Sequence, residues 1–400
     1  MSSFPPFPAA DREAALAALE DFLPRAGRDY AEQRNHDQGP AHRTNVSLLS
    51  PWIRVRQLPE WKVVAAVRRE HGATAAGKFI DEVCWRTYWK GWLQLRPTVW
   101  RDYRPRVARL RAEAGRDGEV QAAMAGKTGV DCFDAWAREL VETGYLHNHA
   151  RMWVASIWIH TLQLPWELGA DWFLRHLLDG DPASNTLSWR WVAGLHTAGK
   201  TYLATRPNIR RYTQDRFEVT ADLAKTPVDR EYSPPPPVQP LQELPAASAG
   251  GRTGILLTDE DVSAAAWLTA EDAPAAVAGF FPAEAYEEWG TADHVVRFRK
   301  EAMRSALGKS GDNGLFESVD RLADWLKATQ IEVLLMAEPP VGYWTDILPR
   351  VTRVCRESGV QLSLRRHGWD TLLWPHATHG FFRFKKVIPQ VLARLYEWEG

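Results

Sequence analysis

Three short clusters in this chain set unlike polar groups beside indoles at helical spacing. Glu82, Trp85 and Arg86 in DEVCWRTYW stand at i, i+3 and i+4, so a carboxylate, an indole and a guanidinium share one helix face. Asn148, Arg151 and Met152 repeat that spacing and bring an amide and a guanidinium to a soft thioether suited to lining a flat ring. Asp179, Asp181 and Asn185 then precede Trp189 and Trp191 in DGDPASNTLSWRW, two acids placed to pair Arg151 and to hydrogen-bond a heterocycle. Each cluster alone reads as a surface ion pair or a capped core helix. Together they suit one-electron transfer between a flat redox ring, such as a flavin, and a nucleobase.

Helices must position these groups. Apolar residues recur at three and four in DREAALAALEDFL, FIDEVCWRTYWKGWL, CFDAWARELVETGYL and ARMWVASIWIHTLQL, which predicts a helical domain over residues 1–232. A Pro-rich stretch, SPPPPVQPLQELPAASAGG, predicts an extended linker over 233–252. Beyond it, GILLT, IEVLLM and VQLSLR read as short buried parallel strands. They alternate with helical segments such as ESVDRLADWLKAT, TDILPRVTRVCRESG and GFFRFKKVIPQVLARLYEW, so a smaller Rossmann-like α/β domain is expected over 253–400. The fold class expected is therefore mainly α, with a C-terminal parallel sheet. No GxGxxG or P-loop marks a phosphate cradle in that second domain.

Composition narrows the setting. The net charge is −1 with 25% charged residues, and no apolar run reaches the ~18 residues of a membrane span. The start, rich in Pro and acids, does not read as a signal peptide. Three distant cysteines, Cys84, Cys132 and Cys355, form neither a metal spacing nor a disulfide framework, and a reducing cytoplasm fits them. Twenty tryptophans exceed the needs of an ordinary core. Most are expected to pack, and a few to carry electrons or stack on bases. His147 and His149 in HNH lie two apart on a helix and share no face, and His376 and His379 read as surface residues, so no metal is expected.

The ordered set VSLLSPWI, EVCWRTY, KTG, HN and DGDPASNTLSWRW resembles the flavin-binding domain of the DNA photolyase/cryptochrome family, from Tyr30 to about Trp191. The resemblance implies FAD as cofactor, in its reduced form FADH⁻ when active, and assigns no second antenna pigment. It implies that Ser47, Leu49 and Ser50 cradle the pyrophosphate by hydroxyl and backbone N–H, with Tyr30 and Arg86 on the same bent cofactor. Arg151 and Asp179 would pair over the isoalloxazine, Asp181 would bond its polar edge, and Asn185 would sit near N5, an amide there suiting the reduced anion. Glu82, Asn148 and Met152 match catalytic positions of the pocket for cyclobutane pyrimidine dimers, and Trp85 and Trp191 match residues that pack on the dimer. Trp189 and Trp166 match the first two members of the electron-transfer chain.

Departures accompany the match. Val46 stands where the family has Thr, and the third indole has no counterpart, Glu113 lying near its place, with Trp136, Trp153 and Trp158 as alternatives. The phosphate-contacting Arg falls on Ala204, leaving Lys200, Arg206, Arg210 or Arg211 to replace it. The domain order is permuted, the α/β part coming last, and the tail FRFKK reads as a solvated basic patch in preference to a nucleic-acid contact. The expected function is light-driven repair of cyclobutane dimers in ultraviolet-damaged DNA, single strands included. The alternative is a cryptochrome-type blue-light receptor using the same flavin and indoles.

Overall fold

Apolar spacing turns the first half of the chain into helices. In the computed structural model, which describes residues 9–114, 118–244, 251–268, 273–308 and 314–395, they run α1 (Arg12–Phe22), α2 (Arg28–Gln33), α3 (Ser50–Arg54), α4 (Glu60–Ala75), α5 (Gly77–Gln94), α6 (Thr98–Ala114), α7 (Gly118–Met124), α8 (Asp131–Thr143), α9 (Asn148–Ser156), α10 (Trp166–His176), α11 (Pro182–Val192) and α12 (Arg206–Tyr212). In α8 the buried Phe133, Trp136, Ala137 and Leu140 recur at helical spacing, and Gly144 at φ 68° ends the helix in the left-handed region. Asp181 caps α11 by accepting the Ser184 N–H at 2.6 Å. The three polar clusters lie on or beside α5, α9 and α11, and α11 packs on both of the others.

The second half builds a five-stranded, all-parallel sheet. Its strands are β1 (Thr253–Thr258), β2 (Ala276–Phe280), β3 (Leu315–Phe316), β4 (Val333–Ala337) and β5 (Gln361–Arg365), in the order β3-β2-β1-β4-β5. Central β1 pairs both ways, Ile255 lying opposite Val277 and Leu335. The three runs expected as strands became β1, β4 and β5. The two others, AVAGF and LF, are too small-residued or too short to stand out by apolarity. The expected helical run GFFRFKKVIPQVLARLYEW forms two short helices, Phe381–Phe384 and Ile388–Leu392, its last residues lying outside those described. Pro389, which lacks an N–H, disfavours one continuous helix there. Residues 233–244 hold no helix or strand and lean on the helical half, Arg96 Nε donating to Pro236 O at 3.1 Å and Gln239 N to Leu95 O at 2.8 Å.

A buried lattice of charge joins the two halves. Arg54, at the end of α3, donates both terminal nitrogens to Glu260 at 2.8 and 2.6 Å, just past β1. Arg56 pairs with Glu60, Asp261 and Asp370 at 3.1, 3.2 and 2.6 Å, its backbone held at φ 56°. Lys90 lies 3.5 Å from Glu260 and 3.7 Å from Asp181. The Gly180 carbonyl is gripped from both sides, by Arg54 Nε at 2.9 Å and by Arg299 Nη2 of the sheet half at 2.6 Å. A Cβ at Gly180 would lie 2.9 Å from the Leu174 and Leu177 carbonyls, so this tight turn needs glycine.

Removing one member of such a lattice strands its partner. Arg54→Met should cost about 3–5 kcal/mol in urea denaturation, and Arg54→Met combined with Glu260→Met should recover a large part of that loss. Equal stability of the single variant and the parent protein would show that the pair contributes nothing to the junction.

Candidate functional site

The loop Asp179–Asp181 is where the three clusters meet. Arg151 of α9 reaches Asp179 Oδ1 at 3.0 Å, and Arg86 of α5 lies 3.7 Å from Asp179 Oδ2 while donating to its backbone carbonyl at 3.4 Å. Although burial alone raises a carboxyl pKa, the Arg151 and Arg86 guanidiniums hold Asp179 below the usual carboxylate range. The Ser50 hydroxyl adds a small pull in the same direction on that carboxyl. Asp181 is likewise held low, against the effect of its burial, by Lys90 and Arg54. Its observed partners are thus the α11 N-terminus and the lattice between the two halves.

Glu82 lies half-buried on α5, 3.7 Å from Arg34 Nε. Burial pushes its carboxyl above the usual range, with Arg34 opposing. Arg34 Nε is itself buried and has no hydrogen-bond acceptor among the described residues. Tyr30 is buried beside them, edge-on to Phe22 and Phe79 at 5.7 and 5.2 Å. Asn148 is exposed at the first turn of α9, and Met152 half-buried one turn on. Asn185 donates its Nδ2 to Ala170 O at 2.6 Å, which leaves the amide oxygen as the acceptor it can offer elsewhere.

The half-buried indoles each have a backing ring. Trp85 stacks on Phe381 from the far end of the chain, centroids 3.7 Å apart at 12°, and Trp191 stacks on Tyr202 at 5.9 Å and 27°. Trp189 is buried edge-on to Trp158 and Phe173 at 6.3 and 5.0 Å, and Trp158 stacks on Trp172 at 5.7 Å. Gly169 permits this approach, since a Cβ there would fall 2.3 Å from the Trp189 ring. Trp166 stacks on Tyr103 at 5.6 Å, and Tyr103 in turn lies parallel to Trp289 of the sheet half at 6.3 Å. Of the alternatives for a third indole, Trp158 touches Trp189, whereas Trp136 and Trp153 stack on each other at 5.2 Å.

Before α3, Ser47 Oγ accepts from Leu49 N at 3.4 Å. Leu48 at φ 55° is followed by right-handed Leu49, a succession that turns backbone N–H groups to one side and makes an anion-binding concavity. Leu49 buries its side chain and gives its own N–H to Ser47 Oγ, so the N–H groups on either side of it are what the turn offers. These groups fit a flavin nucleotide: N–H groups and the Arg34 and Arg86 cations for a pyrophosphate, an unsatisfied buried Arg34 N–H, and an amide acceptor at Asn185. Of the cations offered in place of Ala204, Arg210 is engaged by Asp215 at 2.7 Å and Arg206 donates to the Thr220 and Ala221 carbonyls, while Lys200 and Arg211 have no ion-pair partner among the described residues. Among the described residues no three His, Cys, Asp or Glu side chains gather to hold a metal, and no helix is long and apolar enough to cross a membrane.

Sequence reasoning missed Arg34, Tyr103, Tyr202 and Phe381. Arg34 stands four residues after Tyr30 and was open to detection by helical spacing. The HNH histidines also gain a role, His147 Nε2 meeting Arg34 O at 3.0 Å and His149 Nδ1 meeting Asn35 O at 3.0 Å, so they fasten the Arg34 turn onto α9. Phe381, nearly three hundred residues from Trp85, left no local signal.

Residues 79–225 match the family described as the FAD binding domain of DNA photolyase. Deoxyribodipyrimidine photo-lyase of Streptomyces griseus is 35% identical over 214 residues, covering 53% of this chain and 45% of that protein. An enzyme of the same name from Thermus thermophilus is 34% identical over 241 residues, 60% of this chain and 56% of that one. The chloroplastic/mitochondrial cryptochrome DASH of Ostreococcus tauri is 32% identical over 240 residues, 58% of this chain and 40% of that one. The chain spans about half the length of the curated relatives it matches. Residues 79–225 thus form an FAD-binding domain of the photolyase/cryptochrome family.

Proposed function

We propose that this protein is a light-driven DNA-repair flavoprotein that splits cyclobutane pyrimidine dimers. The observation that carries the reading is the meeting of Arg86 and Arg151 at Asp179, with Glu82 and Trp85 on the α5 face that supplies Arg86. Bound FAD, in reduced form, supplies the electron that light promotes. The turn at Ser47, Leu49 and Ser50, with Tyr30 and Arg86, would hold its pyrophosphate end. The Arg151–Asp179 pair, Asp181 and Asn185 would hold its ring.

The chain's own groups then act on the lesion. A dimer flipped from the strand packs against Trp85 and Trp191, each held in place by its backing ring. Burial keeps the Glu82 carboxyl protonated at a higher pH than an ordinary carboxylate, so it can offer an O–H to the oxygen where negative charge develops. Asn148 and Met152 line the same pocket, the amide for hydrogen bonding and the thioether for contact. Trp189 and Trp166 feed electrons inward when the flavin is oxidised. A second reading, a blue-light receptor, is favoured by the ring series Trp166–Tyr103–Trp289, which carries the aromatic path across the junction into the sheet half.

Illuminating the reduced protein with an oligonucleotide carrying one dimer should restore the ultraviolet absorbance of the thymines. Glu82→Ala should slow that recovery by about 100-fold without changing flavin content, and loss of flavin instead would mean that Glu82 serves the cofactor. Trp189→Phe should abolish photoreduction of the oxidised flavin while leaving repair by chemically reduced protein intact. Undiminished photoreduction would place the electron entry elsewhere.

A further inference from the structure

The tail segment Thr378–Lys386 has one unusual side chain. Phe382 is 82% exposed, while the next most exposed large apolar side chain among the described residues, Val238, stands at 42%. Its neighbours Phe381 and Phe384 are buried at 4% and 0%. A lone exposed apolar side chain is ordinary in itself; what sets Phe382 apart is the pair of exposed cations beside it and the seated segment that carries it.

The segment is firmly placed. Phe381 stacks on Trp85, Phe384 packs on Tyr88 with centroids 5.4 Å apart, and Tyr88 Oη donates to His379 O at 2.8 Å. Lys385 Nζ meets Asp81 Oδ2 at 2.5 Å, and Arg96 Nη2 donates to Thr378 O at 2.8 Å. Asp81, Trp85 and Tyr88 are one stripe of α5, adjacent to the face bearing Glu82 and Arg86, so the tail lies at the border of the candidate site. Beside Phe382, Arg383 and Lys386 are exposed and have no ion-pair partner among the described residues.

We propose that Phe382, Arg383 and Lys386 form a nucleic-acid contact supplied by the C-terminal half, with the phenyl ring stacking on an unpaired base next to the pocket and the two cations taking neighbouring phosphates. This rests on the reading that the site receives a flipped lesion. The charge, the exposed ring and the continuity with Trp85 all suit a single strand: stacking on a flat ring tolerates any base, and unpaired cations gain by releasing counterions. Because the segment is already seated, little beyond the side-chain torsions of Phe382 is ordered on capture.

The test uses the full chain with its flavin and two labelled oligothymidylate single strands, one plain and one with a single cyclobutane dimer, followed by fluorescence anisotropy. Phe382→Ala should weaken both complexes on the order of tenfold, and Phe382→Trp should restore affinity. Arg383→Ala with Lys386→Ala should lower the slope of log affinity against log salt by about 1.4. Repair at saturating DNA should stay at the parent rate in each variant. Unchanged affinity and salt slope across the series would overturn the contact, as would a parent protein that binds neither strand. If the parent binds both strands through these residues but repairs no dimer, the contact stands and the repair reading falls.

Discussion

A single backbone carbonyl, that of Gly180, organises much of this molecule. Arg54 grips it from the helical half and Arg299 from the sheet half, and both guanidiniums are fully buried. Charges so deep are tolerable only when matched, and both matches come from the turn after β1: Glu260 for Arg54, Asp259 for Arg299 at 3.2 Å. Because Gly180 lies between Asp179 and Asp181, the lattice that joins the halves also fixes the loop on which the polar clusters converge. The order of the two halves along the chain is then secondary. What matters is that the acids following β1 meet the arginines following α3.

Around that loop, position is set by helix packing and by aromatic backing. Arg86 and Arg151 come from different helices, and a common carboxylate holds them together against their mutual repulsion. Trp85 and Trp191 remain half-exposed yet do not depend on solvent to orient them, since Phe381 and Tyr202 lie parallel beneath. The tryptophans thus fall into two settings: fully buried rings such as Trp52 and Trp136 fill the core, and others such as Trp85 and Trp191 stay only partly buried.

Legibility in the sequence followed the range of the interaction. Glu82, Trp85 and Arg86 were visible because helical spacing alone places them together, and the same held for Asn148, Arg151 and Met152. The alternation of β1, β4 and β5 with helices announced a parallel sheet, whereas β3, two residues long, had no pattern to show. Contacts that close over hundreds of residues were invisible: Arg54 with Glu260, Trp85 with Phe381, Tyr103 with Trp289. Asp181 shows how a residue can be found and its company missed. Its chemistry was evident from the DGD run, but the Lys90 and Arg54 that hold its charge could be learned only from the folded chain.

The sheet has the strand order of nucleotide-binding α/β folds, in which small molecules settle beyond the carboxyl ends of the strands, at the point where the winding reverses. In this protein that point is the end of β1, and side chains of Arg54 and Arg56 already plug it. A doorway that in related topologies admits a diffusible guest is here sealed by the neighbouring half of the same polypeptide. The sheet's recognition end has become a socket for its own chain, and a guest pigment would have to lodge along some other flank.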